Sequence, residues 1–339
     1  MKRYLILTAL MLGAGLTACE HKALCENHRD HAHKYHIKIV ADYRYDWEEC
    51  IGDQNPNWKE NWPEHYMPYD DLRPGKPSGL RVVNYNEEGD YNIHNIKPEG
   101  GVVMLYEGIN DLLFYNNDTE YLIFSRSGDG ELRATTRTRS RAINMDEAFT
   151  NNEDGVAAPP DMLFANVYND YVAEKVVDPT EVEVTLQPLV FTYKIRYEFA
   201  EGLKYVSMAT GELSGMAKDV ELHTGETSAD PVIISYDCEL TDYGIRATVN
   251  SFGIPAYPHP DYPTRAEVKH GLNLRVILRN GKEKKFDFDV TDQVKAQPHG
   301  GVIVVSDIKI LDEEGTQGSG AFDVEVDDWG EYEDIPLPL

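Results

Sequence analysis

Between Phe191 and Phe199 the chain alternates without a fault: Phe191, Tyr193, Ile195, Tyr197 and Phe199 on one side, Thr192, Lys194, Arg196 and Glu198 on the other. A period of two over that length describes an extended strand with one apolar and one wet face. Residues 37–47 repeat the pattern, with Ile37, Ile39, Ala41, Tyr43, Tyr45 and Trp47 set against mostly charged neighbours. Shorter runs of the same kind fall at 80–85, 101–106, 111–115, 121–125, 182–186, 232–236, 245–250, 272–278, 286–290, 302–310 and 322–326. Separated by Gly, Pro, Asn and Asp clusters, these runs predict an all-β chain of antiparallel sandwiches rather than alternating β-α units. One helical stretch of one or two turns is expected at 161–173. There Asp161 follows Pro159-Pro160 as a cap, and Met162, Leu163, Ala165 and Val167 supply apolar positions. Residues 47–78, rich in Pro and Trp, read as a long ordered loop, and residues 133–161 as a second break.

The N-terminus supplies an address. Met1-Lys2-Arg3, an apolar run from Tyr4 to Leu12 and a small-residue exit form a secretory signal, too short to span a bilayer. Leu16-Thr17-Ala18-Cys19 resembles the bacterial lipobox, which implies that Cys19 is the first mature residue and carries lipid. The full chain of 339 residues has 59 Asp and Glu against 32 Lys and Arg, and removal of Lys2 and Arg3 leaves 59 against 30. So acidic a protein is excluded as a nucleic-acid binder, and anionic lipid does not attract it. Of the remaining cysteines, Cys25 and Cys50 are the local option for a disulfide, and a buried free thiol is the alternative for each of Cys25, Cys50 and Cys238.

No catalytic signature is present: the chain has no Gly-x-x-x-x-Gly-Lys, no His-Glu-x-x-His and no Gly-x-Ser-x-Gly. No enzyme activity, cofactor or metal is therefore expected. His31 and His33 share a side if the tether is extended, but a solvated spacer explains them more simply. The acids of 323–334 lack the spacing of a calcium loop, and Phe322, Val324 and Val326 alternate with acids as a strand does. Arg137, Arg139 and Arg141 stand out in an acidic chain as candidate sites for trypsin-like cleavage, with a solvated or internally paired loop as the alternative.

Several segments resemble a known family. They are Gly79-Leu80-Arg81-Val82-Val83-Asn84-Tyr85, Gly100-Gly101-Val102-Val103-Met104-Leu105-Tyr106-Glu107-Gly108 and Asp111-Leu112-Leu113-Phe114-Tyr115-Asn116-Asn117-Asp118-Thr119-Glu120. Leu213-Ser214-Gly215-Met216-Ala217, Ser251-Phe252-Gly253 and Asp289-Val290-Thr291-Asp292-Gln293-Val294 continue the likeness. With Cys19, they resemble the fimbrillin-like lipoproteins of the Bacteroidales, in the DUF5119 branch of the Mfa-like and FimA-like fimbrial subunits. The resemblance implies two consecutive transthyretin-like antiparallel β-sandwiches. The divisions are a signal at 1–18, a lipidated tether at 19–36, an N-terminal sandwich at 37–183 and a C-terminal sandwich at 184–339.

The resemblance also implies export, cleavage after an Arg and polymerisation by strand donation, with Phe322, Val324, Val326 and Trp329 as the candidate donor strand. The expected function is a non-enzymatic lipoprotein on the cell surface, anchored in the outer membrane. It would serve as an anchor or accessory subunit that meets other fimbrial subunits or surface ligands. The alternative is a glycan-binding lipoprotein in which Trp58 and Trp62, beside Tyr66 and Tyr69, stack on sugar rings.

Overall fold

The computed structural model describes residues 34–44, 74–126, 131–140, 143–150, 155–257 and 268–316. Strands dominate, as the alternation predicts. The first half contributes β1 (Lys34–Tyr43), β2 (Leu80–Asn86), β3 (Tyr91–Ile96), β4 (Gly100–Met104), β5 (Gly108–Asn116), β6 (Leu122–Arg126), β7 (Leu132–Thr136), β8 (Gly155–Ala157), β9 (Phe164–Ala173), β10 (Lys175–Val176) and β11 (Thr180–Pro188). The second contributes β12 (Phe191–Glu201), β13 (Val206–Ala217), β14 (Asp219–Glu221), β15 (Pro231–Asp237), β16 (Glu239–Leu240), β17 (Gly244–Ser251), β18 (Gly271–Leu278), β19 (Glu283–Asp289) and β20 (Gly301–Lys309). Among the described residues there are two short α-helices, α1 (Thr291–Ala296) and α2 (Asp312–Thr316).

An eight-stranded sheet runs in the order β10-β1-β11-β9-β5-β2-β3, with β4 also on β1. Its two parts are joined because β11 changes partner along its length: Thr180 to Leu186 pair with β1, whereas Gln187 and Pro188 pair with β9. One core on this sheet holds Ile37, Ile39, Leu80, Val82, Val103, Leu112, Phe114, Phe164, Val184 and Leu186. Val83, Leu113, Tyr115 and Ala165 on the opposite face meet Leu132, Ala134, Val220 and Leu222 in a second core. That second core lies against a three-stranded sheet, β14-β7-β6.

The third core lies between a four-stranded sheet, β16-β17-β12-β20, and a five-stranded one, β19-β18-β13-β15-β8. Tyr193, Ile195 and Tyr197, the apolar side of the cleanest run in the sequence, are all buried there. A buried phenol needs a partner. Tyr193 donates to Gln297 O at 2.9 Å, and Tyr197 Oη lies 2.8 Å from Tyr236 Oη.

Neighbours in sequence are not always neighbours in space. β8 precedes β9 in the chain but pairs in parallel with β15, and β14 follows β13 but pairs with β7. The two halves are laced together by these short exchanges. Most ladders are antiparallel, but β1/β11, β12/β20 and β8/β15 are parallel.

Two expectations are corrected. Residues 161–173 are not helical, because β9 occupies 164–173 and pairs with β5 and β11. The Asp161 carboxylate accepts from Glu120 N at 2.7 Å and Tyr121 N at 2.5 Å, so it fastens a turn instead of capping a helix. Strand pairing on both sides outweighs the weak helical spacing of Met162, Leu163, Ala165 and Val167. The second break is also less loop-like than expected, since β7 and β8 fall inside it. Leu132, Ala134 and Thr136 are buried in alternation with Arg133 and Thr135, a pattern that small residues conceal.

Candidate strand-pairing site

The most informative site for a chain of this kind is the slot that holds β1. β1 is bonded on both sides, to β11 in parallel from Ile37↔Thr180 to Tyr43↔Leu186, and to β4 antiparallel from His36↔Met104 to Val40↔Gly100. A strand more than a hundred residues from its parallel partner reaches it through a long connection, not a hairpin. The alternation read from the sequence sets its orientation: Ile37, Ile39, Ala41 and Tyr43 face the core, and Lys38, Val40 and Asp42 face outward. Each fully buried aliphatic side chain contributes about 1.5–3 kcal/mol.

Close approach to β4 depends on Gly100, where a Cβ would lie 2.0 Å from Ile39 O. Its φ of +120° adds a second reason for glycine. Tyr43 closes the far end, with its ring edge-on to Phe164 at 5.4 Å and its hydroxyl donating to Pro98 O at 3.0 Å. Arg44 N still donates to Leu186 O at 2.9 Å, so the chain is tied down one residue past the strand. On the outer face, Lys38 meets Glu181 at 2.7 Å, and Val40, Val102 and Met104 are exposed. Near Met104, burial lowers the pKa of His94, opposed by a hydrogen bond with the Met104 main chain.

Arg137 and Arg139 lie where β7 passes to β8. Arg137 O accepts from Ala158 N at 2.9 Å and Arg139 N donates to Val156 O at 2.7 Å, so the backbone at both is engaged with the β8 segment. The Arg137 guanidinium lies 5.4 Å from the Tyr121 ring centroid and donates to Glu120 O at 3.1 Å. Cys238 is a half-buried free thiol whose pKa burial raises to about 12. Cys19, Cys25, Cys50, Trp58, Trp62, Tyr66, Tyr69, Arg141 and the donor-strand residues Phe322, Val324, Val326 and Trp329 lie outside the described residues, as do His31 and His33. Among the described residues no cluster of His, Cys, Asp and Glu has the arrangement of a metal site. Among them, too, no helix is long and apolar enough to cross a membrane.

Residues 71–237 match the family model described as "Domain of unknown function (DUF5119)". No curated protein matches the sequence significantly. Among solved structures, a Bacteroides ovatus protein described as a "putative adhesin" is similar at a TM-score of 0.52 and 17% identity, over 87% of this chain and 100% of that one. The fimbrial anchor protein Mfa2 from Porphyromonas gingivalis aligns at a TM-score of 0.43 and 11% identity, over 80% of this chain and 90% of that one. The tip fimbrial protein Mfa3 from the same organism aligns at 0.34 and 10% identity, over 75% and 81% of the two chains. Only the first of these is similar enough to establish a shared fold. Residues 71–237 thus carry a DUF5119 domain, and the chain shares the fold of that Bacteroides ovatus protein.

Proposed function

We propose that this is a non-enzymatic lipoprotein of the cell surface that serves a fimbria as an anchor or accessory subunit. In this reading Cys19 carries the lipid, residues 20–33 lead from the membrane to β1, and two sandwiches, divided near residue 184, present strand edges and loops to other subunits or to surface ligands. The observation that carries it is the β1 slot. β1 lies between β11, its parallel partner, which continues onto β9, and β4, its antiparallel one. Such a slot has the geometry that assembly by strand addition requires, with main-chain hydrogen bonds on both sides and alternate side chains buried. The adhesin and fimbrial names of the structural relatives accord with the same reading.

Two experiments test it. Cys19→Ala should move the protein from the membrane fraction to the soluble fraction of cells; unchanged fractionation would remove the lipid anchor. Deleting residues 320–339, which contain the alternating run from Phe322 to Trp329, should abolish mixed assemblies with other subunits on unheated gels. Full assembly by the shortened chain would rule out strand donation from this end.

A further inference from the structure

The edge of β20 is closed by side chains instead of by a strand. Among the described residues β20 is the last strand of its sheet and pairs only with β12, in parallel. Alternate main-chain groups therefore face away from β12, and an exposed row of this kind is a template for another chain. At Val302 and Val304 those groups are met by two glutamines of the β19–β20 connection. Gln297 Oε1 accepts from Val302 N at 2.8 Å, and its Nε2 donates to Val302 O at 3.0 Å. Gln293 Oε1 accepts from Val304 N at 2.9 Å, and its Nε2 donates to Val304 O at 3.0 Å.

Each primary amide offers one acceptor and a donor, as a peptide unit does. The spacing also fits, because four residues of helix advance about 6 Å and two residues of strand about 6.6 Å. Gln293 and Gln297, four apart, thus stand opposite Val304 and Val302, two apart. Val294, fully buried, holds α1 in place, and Gln297 is itself buried. Gly301 leaves room for the amide, since a Cβ there would lie 2.0 Å from Gln297 Oε1. Farther along β20 the ladder is bulged, Asp307 has a φ of +63°, and Lys309 O accepts from Lys284 Nζ at 3.2 Å.

Behind the two amides the strand reads Gly301-Val302-Ile303-Val304-Val305, β-branched, free of proline and without a charge. This composition favours edge-to-edge pairing. The other edge strand on this side of the sandwich, β19, carries Glu283, Lys284, Lys285, Asp287 and Asp289. In a protein with a formal charge of −27, the uncharged run is the edge at which two copies meet without like charges opposed. Antiparallel pairing of β20 with β20 is two-fold symmetric, uses the same residues on both sides and joins two sheets into one.

We infer that the β20 edge is a pairing surface for a second copy of this chain, held shut by the amides of Gln293 and Gln297. This rests on edge geometry alone and stands whether or not the protein is fimbrial. The test uses the full chain in a Cys19→Ala background, so that acylation makes no contribution to association. Gln293→Ala/Gln297→Ala should speed hydrogen exchange at the Val302 and Val304 amides about fivefold or more. Light scattering should show a concentration-dependent dimer that the unaltered chain forms less readily. Adding Val304→Lys should suppress that dimer, because a charge on the edge opposes pairing. Faster exchange with unchanged mass at every concentration would overturn the proposal, and so would unchanged exchange. Should the double variant not fold, Gln293→Ala alone keeps the buried Gln297 amide. It must then show the same rise in exchange at Val304 and in dimer fraction, or the proposal fails.

Discussion

An Ile39→Asp chain should lose β1 from its slot while the C-terminal sandwich stays folded. Ile39 is 1% exposed at the centre of β1, in the core shared with Val103, Val184 and Leu186. Truncating such a side chain to alanine costs about 2–5 kcal/mol through lost transfer and the cavity left behind. An aspartate adds a carboxyl group with no hydrogen-bonding partner on that face, so the total reaches about 5 kcal/mol or more. A domain is commonly stable by about 5–15 kcal/mol, and the strand should therefore leave. Hydrogen exchange should show protection lost over residues 34–43, 100–104 and 180–186 and kept over 206–217 and 271–278. Ile39→Val should cost about 0.5–1.5 kcal/mol and leave that map unchanged. Undiminished protection of β4 and β11 in the aspartate variant would mean that β1 is not held by its buried face.

The second large effect is a loss of stability on mild acidification through His270. This imidazole is 1% exposed just before β18, against Gly215, where a Cβ would lie 2.9 Å from its Nδ1. Burial pulls its pKa from 6.5 down to about 4; the Ser214 main chain opposes the shift, Lys295 reinforces it and Asp289 opposes it. Between those values the unfolded chain takes up a proton that the folded chain refuses. Unfolding is therefore favoured progressively as pH falls from 6.5 to 4, by about 3 kcal/mol over the whole window, and above 6.5 the effect vanishes.

Carboxylates with depressed pKa values, Asp118 and Asp289 among them, also lose their contribution in acid. The comparison is therefore between the native chain and His270→Gln, each unfolded in urea at several values between about pH 7 and pH 4.5. The native chain should show the steeper decline, and parallel declines would remove His270 as the cause.

How much of this could be read from residues alone depends on how many faces of a strand are covered. β1 has one buried and one wet face, and β12 keeps its polar residues on one side even though Thr192 and Arg196 are buried, so the alternation of both is unmistakable. β13, central to its sheet, shows no such alternation, because it is covered on both faces and flanked on both edges. At Gly211 the Tyr236 ring lies where a side chain would be, and the buried Glu212 carboxylate accepts from the main chain of Asn144 and Met145. Neither residue announces a strand. In β9 the ladder to β5 shifts register next to Asp170, whose φ is +57°, and that bulge breaks the period.

The candidate site divides in the same way. The side of β1 that faces the core was legible, but the slot itself was not. It depends on β4 and β11, whose pairing to β1 no local pattern encodes. The family segment 289–294 was recognisable as a likeness, yet its structural content, a helix carrying Gln293 to the β20 edge, has no sequence signature. Two glutamines four residues apart acquire meaning only opposite a strand with free groups.

The parallel ladder between β1 and β11 also sets the order of folding. The first strand made is among the last to be satisfied, because Thr180 to Leu186 must exist before it has a parallel partner. Loop closure over so many residues is slow, and contacts of long sequence separation form late. A chain that crosses a membrane N-terminus first would emerge with β1 unpaired and its apolar side uncovered. The same connectivity that makes β1 a separable strand in the finished protein thus makes the interval before its docking the time of greatest exposure to wrong partners.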